Sequence, residues 1–535
     1  MRRFLVSLTV VGLIAACGSD GSGSADGGTT SADGGDGASS TVNGDGGMST
    51  SPPLPVSKCT VPAALADTSV PTTKVGTGSA ASCTEAALRA AVSAGGIITF
   101  DCGAGPATIV VTSPLTPPTG KDTTLDGNGT VTISGGDATR ILSLQNSYEK
   151  GSPTLTVQRL TLTKGKSTGT ASNDGGAAIS VLGANVIAID AMFIANHGPA
   201  SGQDTAGGAI NNIGAGKTVI VGSRFEQNSC SNGGAIGALG SDLTIVNTVV
   251  ANNTATGTGG NPGTGGNGGG VSMDGQGKTL AICGVTVSGN AGGAYGGAVF
   301  RTSYQTEATT IDQSTFTNNA IPDRATSQCG GVYLQGSHVT ITSSSFTHNS
   351  ASSVGAIAIY AHELNGKVVP GIIDMVNVTI ADNQAWPNND LTKTGLVGGI
   401  TVGNNVTGAW QNVTIAANSA QFASGVGGAA SGITITNSTI SNNASNAYTP
   451  LNCYSTAKGA NDLQWPANNS GNSDKDCVPG IKKGDPLLSA ITADNVLIPG
   501  AGSPALGLGK ACPPIDQLGN ARKTDGCTAG AIEVP

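Results

Sequence analysis

The chain has 535 residues, 83 of them glycine, with a charged fraction of 11% and an aromatic fraction of 3%. Glycine is roughly twice its usual ~7% share and charge less than half the usual ~25%. With no Gly-X-Y period the chain is not collagenous, and the alternating Val, Ile, Thr, Ser and Asn of its middle exclude simple disorder and suit strands with tight turns. A net charge of −8, with no Lys/Arg run after the first residues, excludes nucleic acid as a partner.

The chain opens "MRRFLVSLTVVGLIAACGSD". Arg2 and Arg3 precede an apolar stretch and then small residues, a pattern too short for a spanning helix that reads as an export signal. Its end, "IAAC", resembles the lipobox of bacterial lipoproteins. That resemblance implies cleavage before Cys17, lipid attachment at Cys17 and the membrane as a partner. Residues 18–58 are rich in Gly, Ser, Asp and Thr and hold almost nothing to bury, so they form a disordered tether spanning roughly 35 Å root-mean-square. Export permits disulfides. Ten cysteines remain besides Cys17. The short-range pairings are Cys83–Cys102, Cys453–Cys477 and Cys512–Cys527; Cys59, Cys230, Cys283 and Cys329 are left unassigned.

"SCTEAALRAAVSAGG" predicts a helix, with Ser82 and Glu85 as a capping box, Leu88, Ala91 and Val92 on one face, and Gly95-Gly96 as the stop. From "IITFDCG" to about residue 445 the chain reads as strands and turns. One line recurs. Leu243, Ile245, Thr248, Val250 and Asn253 repeat the spacing of Ile433, Ile435, Ser438, Ile440 and Asn443. The period is two within each apolar pair and three between pairs, so two short strands meet at a bend. A glycine-led line such as "GGVSM" or "GGAVF" supplies a third strand. The closing asparagines are Asn196, Asn228, Asn253, Asn290, Asn319, Asn349, Asn383, Asn418 and Asn443. Their spacing varies, as in a solenoid with insertions at its corners. Stacked coils put these asparagines in an amide ladder and Phe193, Phe225, Phe316 and Phe346 in an internal aromatic column.

"GGAI" at 207–210 and 233–236, alternating with "FIAN", "FEQN", "FTNN" and "FTHN", resembles the repeats of the polymorphic outer-membrane protein family. "CTEAALRAA", "TLDGNGTVTISGG" and the tail from "GDPLL" to "GCTAGAIE" resemble the first and closing segments of secreted bacterial β-helix proteins. The resemblance covers about residues 82–535 and implies an all-β, right-handed parallel β-helix, a pectin-lyase-like solenoid with a short N-terminal capping helix. The expected organisation is a signal peptide at 1–17, tether at 18–58, cap at 59–96, β-helix at 97–450 and closing segment at 451–535. The strands of that family's C-terminal membrane barrel are not found after Asn443, so anchoring rests on Cys17, in a cell-envelope or extracellular location.

The repeats offer little chemistry. Asp174, Asp190, Asp312, Asp323, Asp374 and Asp382 occupy differing positions in their coils, and no tandem carboxylate pair for glycoside hydrolysis occurs. His197 follows a ladder asparagine and reads as structural. His338, His348 and His362 lack metal-type spacing and read as solvated. "GTGGNPGTGGNGGG" lacks a phosphate-loop Lys and the repeated Asp of Ca²⁺-binding repeats, so it reads as a corner loop. Trp386, Trp410 and Trp465 could stack on sugars, although Trp410 occupies a core slot. No cofactor or metal is implied. After each glycine pair the first and third residues are apolar, which turns the second and fourth outward. On that phase Asp274, Arg301, Tyr333 and Gln335 form the candidate ligand-contact face, suited to a glycan or protein edge, against a plain solvated sheet face. The favoured function is a lipid-anchored surface protein with an adhesive or structural role and no catalytic residues. The alternatives are a polysaccharide lyase or glycoside hydrolase on the same scaffold, and an envelope spacer without a ligand.

Overall fold

The computed structural model describes residues 52–260, 263–322, 328–385, 395–420, 422–443, 452–467 and 475–535. Cys17, the signal peptide, most of the tether and Trp386 lie outside them. The described chain is a right-handed parallel β-helix. Each coil lays its strands beside the equivalent strands of the next: Ile245 pairs with Ile282, Ile282 with Ile311, and Ile311 with Ile341. One parallel sheet has ten strands, from Leu142–Gln145 to Val426–Gly428, and is built from the glycine-led lines. The second, longer sheet carries the paired short strands, such as Asp242–Val246 and Val249–Ala251.

The three-residue step between paired strands is a bend through the left-handed region. Asn247 (φ 49°), Asn377 (55°), Asn412 (54°) and Asn437 (52°) occupy it, and Gly222 and Gly284 take the same place in other coils. Asparagine tolerates this conformation better than other non-glycine residues. A second left-handed residue stands immediately before each closing asparagine, as at Asn252, Asn318 and Asn442. The recurring Asn-Asn therefore has two roles: the first residue turns the chain and the second enters the interior.

The nine closing asparagines are all buried. Each Nδ2 donates to the Oδ1 of the next coil's asparagine at 2.9–3.0 Å, from Asn196 through Asn418 to Asn443, and Asn443 passes the last bond to Asn452. The second Nδ2 hydrogen serves a strand carbonyl of the preceding coil, as from Asn228 to Phe193 O. Each interior Oδ1 also accepts a backbone N–H, so the amide leaves nothing unpaired. A hydroxyl column runs beside it. Ser223, Thr248, Ser314, Ser344 and Ser438 each donate to the carbonyl two residues earlier. Several also accept an N–H from the coil before. The last coil breaks the pattern with a carboxyl: Asp462 Oδ1 accepts Ser438 N–H at 2.8 Å. The aromatic column forms only as two pairs, Phe193–Phe225 (4.5 Å) and Phe316–Phe346 (4.8 Å), because Val250 and Val287 fill the slots between them.

The helix α1 (Glu85–Ala94) packs Leu88, Ala91 and Val92 onto the first coils. Its N-cap is Thr84, whose hydroxyl accepts Ala87 N–H, and not Ser82, whose hydroxyl accepts Thr77 N–H. The parallel pairing is wider than residues 97–450. It starts where Thr73–Val75 lies beside residues 98–100 and continues to Lys482–Lys483 beside Leu463 and Gln464. Ahead of it, residues 57–68 form a strap along the outside of the longer sheet. Ser57 bonds Asn247, Lys58 N–H bonds Gln313, Ala66 N–H bonds Gln158 and Thr68 bonds Asp126. The end of the supposed tether is thus docked on the body. The closing segment covers later coils of the same sheet: Gln517 bonds Ser345 and Thr379, and the Asn377 amide donates to Ile515 O. Disulfides join Cys83 to Cys102, Cys453 to Cys477, Cys512 to Cys527 and, across 224 residues, Cys59 of the strap to Cys283.

Candidate functional site

The face expected from phase is not a face. Val271, Val299 and Val332 share one register position, so Ala298 fills the slot held by glycine in the neighbouring coils. A one-residue slip exchanges the two sides of a strand. Arg301 therefore stands between Met273 and Leu334 on the inward side, 0% exposed, and Phe300 points outward. Tyr333 does point away from the core, but it is only 6% exposed, stacked against Phe300 and Tyr295 at 5.7 and 5.0 Å. This outer aromatic layer, with Tyr360, Val354 and Val397, is covered and structural. Asp274 and Gln335 are half-buried. Arg301 is held by backbone carbonyls, with Nη1 donating to Thr302 O at 2.6 Å and Nη2 to Lys278 O at 2.5 Å, while its buried Nε has no partner. Burial lowers its pKa, and the charges of Asp274 and Glu307 oppose that.

What the fold assembles instead is a recess on the outer side of the ten-stranded sheet, lined by Asp204, Asn232, Asn267, Ser272, Asp274 and Phe300 among others. Two insertions build it. The loop carrying Gly202, Gln203 and Asp204 meets the glycine-rich loop that leads to Asn267: Ser231 Oγ donates to Gly202 O (2.7 Å) and Thr264 O (3.1 Å), and Asn232 Nδ2 donates to Gln203 O (2.8 Å). Asp204 sits at the exposed rim, while Asp274 lies deeper, hydrogen-bonded by the Tyr304 hydroxyl. Burial raises both carboxyls above the usual range, and Asp204 raises Asp274 further. The recess is 20 Å³, room for about one water-sized body. Sequence reasoning reached Asp274 for the wrong reason and missed Asp204 and Asn267, which carry no local motif.

Elsewhere, His197 is half-buried with its ring nitrogen 2.9 Å from Ser229 Oγ. His338 and His348 are exposed partners of Asp374 and Asp382. His362 is not solvated: it starts a short hairpin with 367–369, is buried, and meets Ser303 O at 2.9 Å and the Tyr304 ring at 4.9 Å. Trp410 is wholly buried, donating to Ile373 O. Cys230 and Cys329 are buried free thiols, and burial raises Cys230 to about 12. Cys59, Cys283 and Asp312 also cluster, but two of the three are joined as a disulfide.

Among solved structures, the chain is similar to the A-module of the mannuronan C-5 epimerase AlgE4 of Azotobacter vinelandii. That match has 13% identity and a TM-score of 0.34 over 71% of this chain and 90% of the module. It is similar also to the pectate lyase Pel9A, with 13% identity and a TM-score of 0.27 over 84% and 91% of the two chains. Likeness at this level carries nothing about activity. No family model and no curated protein matches the chain.

Proposed function

We propose that this chain is an exported, lipid-anchored envelope protein whose β-helix has an adhesive or structural role. The observation that carries the reading is how the solenoid is closed. Its first coils are capped by α1, and its longer sheet is overlaid by the strap at one end and the closing segment at the other. A sheet covered by its own chain suits a rigid body better than an open substrate cleft. Four disulfides fit an oxidising compartment. The lipobox-like "IAAC" and the polymorphic outer-membrane type repeats support attachment and a surface role. The enzymatic alternative needs carboxylates with an accessible cation on one outward face. Asp204 and Asp274 supply the carboxylates, but the Arg301 guanidinium is enclosed and committed to backbone carbonyls.

The test has two arms. Cys17→Ser should move the protein from the membrane fraction to the soluble one, since acyl chains contribute ~0.8 kcal/mol per buried CH₂. In parallel, the purified chain is screened for binding to glycans and envelope components and for polysaccharide depolymerisation. Retention of the variant in salt-washed membranes would defeat the anchor, and turnover of any polysaccharide would transfer the chain to the enzymatic alternative.

A further inference from the structure

Cys59, Cys283 and Asp312 meet where the strap crosses the outer side of the longer sheet. Cys283 and Asp312 occupy one register position on successive coils, and Cys59 reaches them from the strap. The two sulfurs and one carboxylate oxygen all lie within 4.8 Å of one another. Asp312 Oδ2 stands 3.5 Å from Cys283 Sγ, although a disulfide sulfur has no hydrogen to donate. The carboxylate is held in that direction from two sides. Thr342, its register neighbour on the next coil, donates to Oδ1 at 2.6 Å, and Gln313 Nε2 donates to Oδ2 at 2.9 Å. Gln313 Oε1 also accepts Lys58 N–H at 3.0 Å, so one amide positions both Asp312 and the residue before Cys59. Ser57 is bonded to Asn247, and Cys59 N–H donates to Ser57 Oγ at 3.2 Å. None of these bonds involves the disulfide, so they would keep both sulfurs beside Asp312 after its reduction.

This disulfide is also the one most open to a reductant. Among the four described disulfides, only Cys59–Cys283 has neither cysteine buried; Cys83, Cys102, Cys453, Cys477 and Cys527 are 6% exposed or less. Thiol–disulfide exchange requires the attacking thiolate to reach a sulfur. An external dithiol therefore reaches this bond first. Its thiolate displaces one cysteine sulfur, its second thiol displaces the other, and it leaves oxidised by two electrons as a cyclic disulfide. Two thiols remain, at Cys59 and Cys283.

We infer that Cys59, Cys283 and Asp312 form a zinc site in the reduced protein. Two thiolates and a carboxylate suit Zn²⁺, with water as the fourth ligand. With Zn–S at ~2.3 Å and Zn–O at ~2.0 Å, a tetrahedral ion separates a sulfur from a carboxylate oxygen by about 3.5 Å and two sulfurs by about 3.8 Å. The first separation already exists between Cys283 and Asp312. The second is reached by rotating the freed sulfurs apart about their side-chain bonds, with the Cα atoms left 5.9 Å apart. Each thiol loses its proton to solvent on coordination, so zinc uptake releases two protons. The ion would then clamp the strap to two coils in place of the disulfide. With neither clamp the strap relies on single side-chain bonds, and its departure uncovers Ile189, Val219 and Val221, against which Ala63 packs.

The experiment uses the purified full chain, treated with limited dithiothreitol and then freed of it and of metal by gel filtration without oxygen. Alkylation and peptide mapping identify the cysteines that have opened. Co²⁺ is titrated as an optical probe of the zinc site, and proteolysis near residues 57–68 is timed with and without Zn²⁺. The expected result is that Cys59 and Cys283 open first, and that Co²⁺ then gives thiolate-to-metal charge-transfer absorption, with the visible bands of tetrahedral coordination, saturating at one ion per chain. Zn²⁺ should bleach these bands, and the oxidised chain should show none. Zinc should also slow the cut that reduction permits. Cys230 and Cys329 are wholly buried and add no thiolate to the signal. Asp312→Asn, equal in shape but a poorer ligand, should weaken Co²⁺ binding by about tenfold or more. Opening of another disulfide before Cys59–Cys283, absence of the bands in the reduced parent, or equal affinity in Asp312→Asn overturns the site. So does a rate of proteolysis that zinc leaves unchanged.

Discussion

Asp462 ends the hydroxyl column, and its position makes a measurable claim about pH. It is 2% exposed, one oxygen accepts Ser438 N–H, and the other has no partner. Burial raises its pKa from 3.8 to about 8, against the smaller pull of that N–H. A raised folded-state pKa means that the group contributes stability at pH below about 4, and that this contribution is lost as pH rises toward about 8. From pH 3.8 to neutrality there are roughly 3 units at roughly 1.4 kcal/mol each, so the loss by pH 7 is on the order of 4 kcal/mol. The neutral carboxyl keeps its bond to Ser438 N–H without burying a charge. Asp462→Asn retains that acceptor and is neutral at every pH. The assay is denaturant unfolding of parent and variant at steps from about pH 4 to about pH 8. The variant should match the parent in acid and exceed it increasingly toward neutrality, by on the order of 4 kcal/mol near pH 7. A gap between the two proteins that stays constant across the range would refute the reasoning, because no other group is changed.

Asn319→Leu leaves the Asn290 N–H, the Asn290 amide hydrogen and Val287 O without their partners, so it should cost about 3 kcal/mol at least; an unaltered thermal midpoint would mean the ladder is dispensable. Arg301→Met fits the Met273–Leu334 column by shape but strands Lys278 O and leaves Asp274 and Glu307 without their cation, and should cost roughly 3–5 kcal/mol. If it instead stabilises the fold, the arginine is tolerated rather than required. Replacing Cys59 and Cys283 by Ala frees the strap from a 224-residue closed loop. The variant should lose about 2–5 kcal/mol and gain an early protease cut near residues 57–68, whereas a parent-like digestion pattern would show that the polar contacts alone hold the strap.

The coil was legible because burial imposes it on every copy. A period of two with one step of three has few structural solutions, and nine asparagines at one phase require an interior that pairs amides. Local pairs such as Cys83–Cys102 lie 19 residues apart and could be read from proximity. The glycine-led strand was misread because it has no fixed landmark: Ala298 stands in a glycine's slot, and period-two reasoning fails completely on a one-residue shift. Phase also predicts only which way a side chain points away from a strand, not whether neighbours then cover it, and the rings of Phe300, Tyr295 and Tyr360 cover Tyr333. The strap was invisible for another reason. Residues 57–68 have no apolar period, since they are held by single side chains of Asn247, Gln158, Asp126 and Gln313 and by a cysteine far along the chain. The recess unites residues from separate corner loops, where the repeat imposes nothing.

The bond between Cys59 and Cys283 also decides how the body would respond to being pulled. A force applied to any residue before Cys59 reaches Cys59 first, and from there it has two covalent routes onward. One runs through the strap, α1 and every coil up to Cys283; the other crosses a single disulfide. The short route is taut while the long one is slack, so residues 60–282 are bypassed and feel no tension. A pull from the N-terminal side would enter the solenoid midway along its chain, leaving the N-terminal coils and their cap unloaded however hard it is drawn. Reduction of that one bond would put the same force directly on the end of the stack, where coils can peel away one at a time.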